Sequence, residues 1–552
     1  MFAPRRSLDF SHPFHLPSTC WSSLLDTMLG GAIITGSGPV LGVPSCYFDN
    51  VTVFKGIPYA ASTAGENRWR PPSQPAHWVE PRLCDTFGPA CPQIGPAQLA
   101  NMSEDCLSLN VWTPAASPHD HKLPVYVWIY GGRFIFGAAS EPTFDGAYLA
   151  SQGIVVVTIN YRLGVFGFLA HPELSAESAH GASGNYGLLD QLCAMQWVRD
   201  NIANFGGDPL NVTLGGQSAG SASVGIHLYS PLSRGFFHRA IVESGMRHPQ
   251  DPLISALAPS YRTKEKAETQ GQAYVAEKGV KTIAQLRQVP VEHLLIGNNR
   301  NDETMWGNPP FFRPCIDGYI FPRSYSSTLA GGSQADVPVL TGHNRDEGGT
   351  YSDPRFDRND YIECTEAKFG PLLPRFDELY PCGADQDPRE VWSTAARDNS
   401  RITIDLWAQE FAKHCTSPVF TYHFTHAPPP RRGNPPPGSG QPKTPGYTYT
   451  KGPMAGSFHS AELFYAFNNQ YANSDRDWTS EDAEVGKQMS AWWLNFIKRG
   501  DVNGKVEKQW PLAGQGQVME IGSVSKVTPL AQGDVESKVQ FWRDHFARHQ
   551  RF

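Results

Sequence analysis

The sequence predicts an α/β fold built on a large, mostly parallel central sheet flanked by helices. Three observations predict it. Gly153-Ile154-Val155-Val156-Val157-Thr158-Ile159 is a short, apolar, β-branched run, the pattern of a strand buried on both faces of a parallel sheet. Leu123-Pro124-Val125-Tyr126-Val127-Trp128-Ile129-Tyr130 is a second such strand, and it runs directly into a glycine-rich loop, Gly131-Gly132-Arg133-Phe134. Asn211-Val212-Thr213-Leu214 reads as a third short strand, and Ser221 to Leu228 as the opening of a helix. The turn joining those two is Gly216-Gln217-Ser218-Ala219-Gly220.

That turn carries the chemistry. A G-x-S-x-G pentapeptide between a strand and a helix exposes its serine at the apex of a sharp bend, above the sheet edge and at a helix N-terminus. A serine hydroxyl is a weak nucleophile, so a base and an orienting carboxylate are required. The expected chain order is serine, acid, histidine. Val337-Pro338-Val339-Leu340-Thr341-Gly342 is a further strand, and the loop after it, Asn344-Arg345-Asp346-Glu347-Gly348-Gly349, holds the best acid, Glu347, with Asp346 as runner-up. Six histidines follow Glu347: His414, His423, His426, His459, His545 and His549. His459 stands out, on a glycine-preceded loop running into the apolar run Leu463, Phe464 and Phe467; His545 and His549 read as surface residues of a charged terminal helix. The oxyanion of a tetrahedral intermediate needs N–H donors. Ala219, directly after Ser218, supplies one, and the loop Gly131-Gly132-Arg133-Phe134 supplies the rest.

Together these pieces resemble the type B carboxylesterase family, which includes cholinesterases, lipases and juvenile hormone esterases. The likeness runs from about Ala32 to Trp542. It is carried by Phe54-Lys55-Gly56-Ile57-Pro58-Tyr59-Ala60, Ser103-Glu104-Asp105-Cys106-Leu107-Ser108-Leu109-Asn110, Asn160-Tyr161-Arg162-Leu163-Gly164, Gly184-Asn185-Tyr186-Gly187-Leu188-Leu189-Asp190-Gln191 and Phe205-Gly206-Gly207-Asp208-Pro209. The resemblance implies an α/β-hydrolase fold, a Ser218–His459–Glu347 triad and an oxyanion hole from the backbone of Gly132, Arg133 and Ala219. It implies a serine carboxylesterase acting on a small-molecule ester through an acyl-enzyme. Acyl transfer to another acceptor uses the same triad, and some relatives of this fold are binding proteins; the matching triad positions favour catalysis.

The chain departs from the family pattern at several places. Arg133 stands where a third glycine is common, either narrowing the acyl side, greeting an anionic substrate group or pointing away from the pocket. Gln217 precedes the serine where cholinesterases carry glutamate, and the segment from Cys91 to Cys106 lacks tryptophan, so choline-ester specificity is not expected. Ser244, in Glu243-Ser244-Gly245, matches a serine that supports the acid in relatives. Trp306, Phe311 and Phe312 precede Pro314-Cys315-Ile316-Asp317-Gly318, a stretch that borders the acyl pocket in relatives. Of the ten cysteines, Cys91 and Cys106 match the family's first disulfide pair.

Composition bounds the rest. Length alone suggests several domains, but the resemblance implies one catalytic domain over residues 31–552, preceded by a poorly ordered extension, residues 1–30, and interrupted by a Pro/Gly-rich insertion at 427–446. A net charge of −7, without long charged runs, argues against nucleic-acid binding. No zinc-ligand spacing is found, no metal or cofactor is expected, and His119-Asp120-His121 reads as a solvated turn. No run reaches the ~20 apolar residues of a membrane span. Arg5 and Arg6 suit a signal peptide, but Asp9, His12, Pro13, His15 and Pro17 interrupt any apolar core, which leaves the compartment open, with the cytoplasm as default and secretion as the alternative. Asn50-Val51-Thr52, Asn101-Met102-Ser103 and Asn211-Val212-Thr213 are glycosylation sequons. Oligomeric state is not legible.

Overall fold

The β-branched apolar runs form the middle of an eleven-stranded sheet. The computed structural model describes residues 31–95, 101–117, 122–347, 356–432, 456–504 and 509–552. The extension 1–30, His119-Asp120-His121, Gly348, Gly349 and residues 433–446 of the insertion lie outside the described residues.

In chain order the strands of this sheet are β1 (Val43–Pro44), β2 (Thr52–Pro58), β3 (Ser108–Thr113), β4 (Leu123–Ile129), β5 (Val155–Ile159), β6 (Gly207–Gln217), β7 (Arg239–Glu243), β8 (Val339–Asn344), β9 (Val419–Phe424), β10 (Gln517–Ile521) and β11 (Lys526–Pro529). Their lateral order is β11-β10-β9-β8-β7-β6-β4-β5-β3-β2-β1. From β10 across to β5 the strands run parallel; β1, β2 and β3 at one edge and β11 at the other are antiparallel. Every residue of β5 is buried, as its run of Val and Ile requires, and the one polar side chain, Thr158, donates to Ala139 O at 3.1 Å. Each such Val or Ile contributes about 1.5–3 kcal/mol through burial. The strand at Asn211 begins earlier than the short apolar run suggests, at Gly207, which lies opposite Leu123 before an irregularity in the pairing.

The helices that matter for the site are α1 (Tyr186–Asn201), α2 (Ala219–Tyr229), α3 (Arg358–Phe369), α4 (Pro388–Ala412), α5 (Leu463–Ala466), α6 (Ser480–Arg499) and α7 (Val535–Ala547). α6 shows how the sequence sets helix ends: Thr479 and Asp482 form a reciprocal capping box, and Gly500 closes the helix at φ 75°. α6 covers one face of the sheet, where Trp493 Nε1 donates to Glu243 Oε1 at 2.9 Å. α2 covers the other, which follows from the alternation of side chains along β6. A Cβ on Gly215 would strike the Tyr126 ring, whereas one on Gly216 would lie 2.5 Å from Gly220 at the start of α2.

A second apolar cluster joins α3, α4 and α7 through Phe369, Trp392, Phe541 and Trp542. It corrects the expectation that His545 is a surface residue. His545 is only 1% exposed and packs edge-on to Phe369 and Trp542, because it lies three and four positions after Trp542 and Phe541 on the same helical face. Burial pushes its pKa down to about 3, so the ring is neutral. Phe312 is likewise core, at 0% exposure against Tyr274; Trp306 is 62% exposed.

The Cys91–Cys106 disulfide implied by the resemblance is not formed. Both residues are fully buried free thiols, joined by a hydrogen bond, and Leu163 N donates to Cys91 Sγ at 3.3 Å. The partner thiol and burial push the Cys106 pKa well up, which holds the sulfur in its unreactive protonated form. Among the sequons, Asn50 and Asn101 are exposed, whereas Asn211 lies on β6 and accepts a hydrogen bond from Arg239.

Candidate active site

Four loops at the carboxyl ends of β4, β6, β8 and β9 converge on Ser218. β6 ends at Gln217, α2 begins at Ala219, and Ser218 alone makes the turn, at φ 58° and ψ −120°. Such a conformation costs a non-glycine residue about 1–3 kcal/mol and persists only where its surroundings impose it. Here Ser218 N donates to Glu243 O at 2.9 Å, continuing the β6–β7 ladder, and Ala222 N donates to Ser218 O at 2.9 Å, opening the helix. The flanking glycines permit the bend. A Cβ on Gly220 would lie 1.9 Å from Ile129 O, and one on Gly216 would strike Gly220 itself. Ser218 is 8% exposed.

The loop after β4 runs directly against the serine, since a Cβ on Gly131 would lie 2.9 Å from Ser218 Cβ. Gly132, Arg133 and Phe134 all have positive φ, at 100°, 56° and 64°. This left-handed stretch is closed by Ile135 N and Phe136 N, which both donate to Gly132 O. Successive residues in such conformations gather backbone N–H groups into an anion-binding concavity. Ala219 opens α2, so its N–H has no carbonyl one turn back.

The fold brings Glu347 and His459 together, with His459 Nδ1 3.7 Å from Glu347 Oε2. Glu347 Oε1 accepts from Ser244 Oγ and from Asn344 N at 2.8 Å. Burial would push the Glu347 carboxyl up. The nearby His343 and His459 rings and the Ser244 hydroxyl outweigh it and hold the carboxyl well below the usual range. For His459 burial would lower the pKa, but the adjacent Glu347 carboxylate, joined by Glu462, raises it above its ordinary value. The His459 side chain is 36% exposed.

The runner-up acid has a different place. Asp346 faces away from His459, pairs with Arg345 at 3.0 Å and Arg397 at 3.1 Å, and accepts from Ser457 N at 2.8 Å. It braces the loop that carries His459.

Ser218 and His459 share no hydrogen bond. Gln217 Nε2 instead lies 3.4 Å from His459 Nε2. With the Nδ1 proton facing Glu347, Nε2 is an acceptor, and the amide N–H occupies it. Gln217 is thus a direct neighbour of the histidine.

Sequence reasoning missed a second layer. Glu462 is fully buried; its Oε1 accepts from Ser244 Oγ at 3.3 Å and its Oε2 from Asn344 Nδ2. Ser244 and Asn344 therefore each bridge Glu347 and Glu462. Burial and the neighbouring Glu347 charge push Glu462 up to about 7. Glu243 is also fully buried, and burial together with Glu462 raises its pKa well above normal, which keeps it protonated. The available signal was spacing: Glu462 stands three residues after His459, and Glu243 directly before Ser244. His343 lies 3.7 Å from Glu347 Oε2, and burial pushes its pKa down to about 4. Among the described residues no cluster of side chains suits a metal ion, and no helix is long and apolar enough to cross a membrane.

The sequence model of the carboxylesterase family matches residues 31–542. The chain is 35% identical over 508 residues to the fumonisin B1 esterase of Sphingopyxis macrogoltabida, covering 89% of this chain and 86% of that one. It is 32% identical to the para-nitrobenzyl esterase of Bacillus subtilis strain 168, covering 87% and 92%. Among solved structures, a carboxylesterase of Geobacillus stearothermophilus superposes with a TM-score of 0.73 at 29% identity, covering 93% of this chain and 99% of that one. The sheet and its flanking helices form an α/β-hydrolase fold.

Proposed function

The chain belongs to the carboxylesterase family and is a carboxylic ester hydrolase; on that premise we propose that it works through a Ser218–His459–Glu347 triad and an acyl-enzyme intermediate. The observation that carries this reading is the strained turn at Ser218, set at the N-terminus of α2 and against a left-handed glycine loop. His459 Nε2 takes the Ser218 proton as the hydroxyl attacks the ester carbonyl. Glu347 fixes the Nδ1 tautomer and stabilises the imidazolium. Backbone N–H groups of Gly132, Arg133 and Ala219 hold the oxyanion. The alcohol leaves with the proton from His459, and a water activated by the same ring cleaves the acyl-enzyme. The Gln217 contact on Nε2 gives way as the Ser218–His459 bond tightens around substrate, since such bonds are often long without ligand. Ser244 supports the acid.

Residues 31–552 act as one catalytic unit in this reading, with a small-molecule ester as the partner and no cofactor in the mechanism. The test is turnover of 4-nitrophenyl butyrate with stopped-flow detection of the first equivalent. The reading predicts a burst of one nitrophenolate per Ser218 that Ser218→Ala abolishes. Unchanged turnover in folded Ser218→Ala contradicts it.

A further inference from the structure

We propose that His343 is a positioning residue of the triad, a second imidazole that shares the outer oxygen of Glu347 with His459 and so divides the charge of the acid between two rings. The inference rests on the reading of Glu347 and His459 given above.

The two rings approach the acid alike. His343 Nδ1 and His459 Nδ1 each lie 3.7 Å from the same oxygen, Glu347 Oε2. The other oxygen is engaged elsewhere, since Oε1 accepts from Ser244 Oγ and from Asn344 N. Oε2 is therefore the end of the carboxylate that faces the imidazoles, and it stands between them. His343 reaches it from the penultimate position of β8, four residues before Glu347, where the strand gives way to the turn that carries the acid.

The proton on His343 can be located. Arg247 Nη1 lies 3.4 Å from His343 Nε2, and a guanidinium only donates. Nε2 is thus the acceptor, and the neutral ring carries its proton on Nδ1, the atom that faces Glu347. Arg247 is itself fixed: its Nε donates to Asp251 Oδ2 at 2.8 Å and its Nη2 to Asn399 Oδ1 on α4 at 2.6 Å. His343 Nδ1 is buried and makes no hydrogen bond among the described residues. A buried N–H is costly to leave unmade, and the acceptor this one faces is Glu347 Oε2. A small turn of the carboxylate closes the bond to either ring.

His343 offers the acid a dipole and no charge. Burial, with Arg247 and His459 beside it, pushes its pKa down to about 4 against the pull of Glu347 and Asp251. His423, in register with it on β9, is held neutral by burial as well. On the other side of Glu347, Glu462 is joined through Ser244 and Asn344. A carboxylate that also accepts from His343 attracts the His459 proton less strongly. His343 thereby keeps His459 neutral, and ready as a base, to lower pH than Glu347 alone would allow.

The test is the pH profile of kcat/KM for 4-nitrophenyl butyrate in wild type, His343→Leu and His343→Asn, with circular dichroism melts on each. Leucine removes the N–H, whereas the asparagine amide returns one near the place of Nδ1. His343→Leu leaves Oε2 to His459 alone, so the acidic limb moves about half a unit to higher pH, and kcat/KM on that limb falls about threefold relative to the plateau. His343→Asn returns the limb most of the way to wild type. If leucine disrupts β8, His343→Val makes the same deletion with a side chain suited to a strand. A packing role alone lowers the melting temperature and leaves the limb in place. A folded deletion variant whose limb is unmoved, or moves to lower pH because Glu347 has drifted from His459, overturns the inference alone, provided that wild type still gives a burst from Ser218. Wild type with no burst overturns the underlying reading as well.

Discussion

In the proposed triad two adjacent carboxylates compete for the role of the acid, and their surroundings differ. Glu347 Oε2 faces His459 Nδ1 at 3.7 Å, whereas Asp346 is turned to Arg345 and Arg397. Glu347→Gln removes one charge beside the imidazolium with little change of shape. At 3.7 Å and an effective dielectric constant of about 20, that charge is worth about 4 kcal/mol. The imidazole side chain is 36% exposed, and solvent screening halves the figure to about 2 kcal/mol. Glu347→Gln therefore lowers kcat/KM by between about 30- and 1,000-fold. The sign of the pH effect is fixed too. Glu347 raises the His459 pKa, and in the proposed mechanism only neutral His459 acts as base, so losing the charge moves the acidic limb of the kcat/KM profile to lower pH. Asp346→Asn weakens a brace between two arginines and the Ser457 N–H, so it lowers the melting temperature and leaves the acidic limb in place. The assay is the pH profile of kcat/KM for a neutral nitrophenyl ester, with circular dichroism melts on the same samples. A folded Asp346→Asn that loses activity and shifts the limb, while Glu347→Gln does neither, refutes the assignment.

Two further outcomes follow from the neighbours of His459. Gln217→Glu puts a negative charge 3.4 Å from His459 Nε2, so the acidic limb moves to higher pH; a shift downward, or none, contradicts the contact. Glu462 has a folded pKa of about 7 against about 4.3 unfolded, so the native state keeps a proton that the unfolded chain releases, and stability falls as pH rises between those values. Glu462→Gln stays neutral throughout, so the melting temperature of the variant relative to wild type improves from pH 5 to pH 8; a difference that worsens contradicts the raised pKa.

Much of this was legible because local physics announces it. The β5 run is β-branched throughout and polar only at Thr158, since a strand buried on both faces has no solvent side. The glycines around Ser218 are visible because close backbone approaches tolerate nothing else. Glu347 and His459 were singled out by chain order and loop context, both local properties, and the fold brings their side chains to 3.7 Å. The hidden features are long-range. Nothing local says that Asp346 rather than Glu347 turns toward Arg397, nor that Glu462 and Glu347 share Ser244 and Asn344, because those partners come from separate elements. His545 looked exposed because its own helix is rich in charge; the cluster that buries it is supplied by α3 and α4. The Cys91–Cys106 bridge was carried by likeness, and adjacency of two sulfurs in a dry core is compatible with free thiols.

The central claim is that Ser218 is an activated nucleophile. It is tested most directly by mass spectrometry of the intact protein and its peptides after exposure to a fluorophosphonate, in wild type and Ser218→Ala. The account predicts a single adduct, on Ser218, that is absent from the variant and strongly reduced in Glu347→Gln. Folded wild-type protein with no adduct, or one labelled equally with and without Ser218, contradicts it.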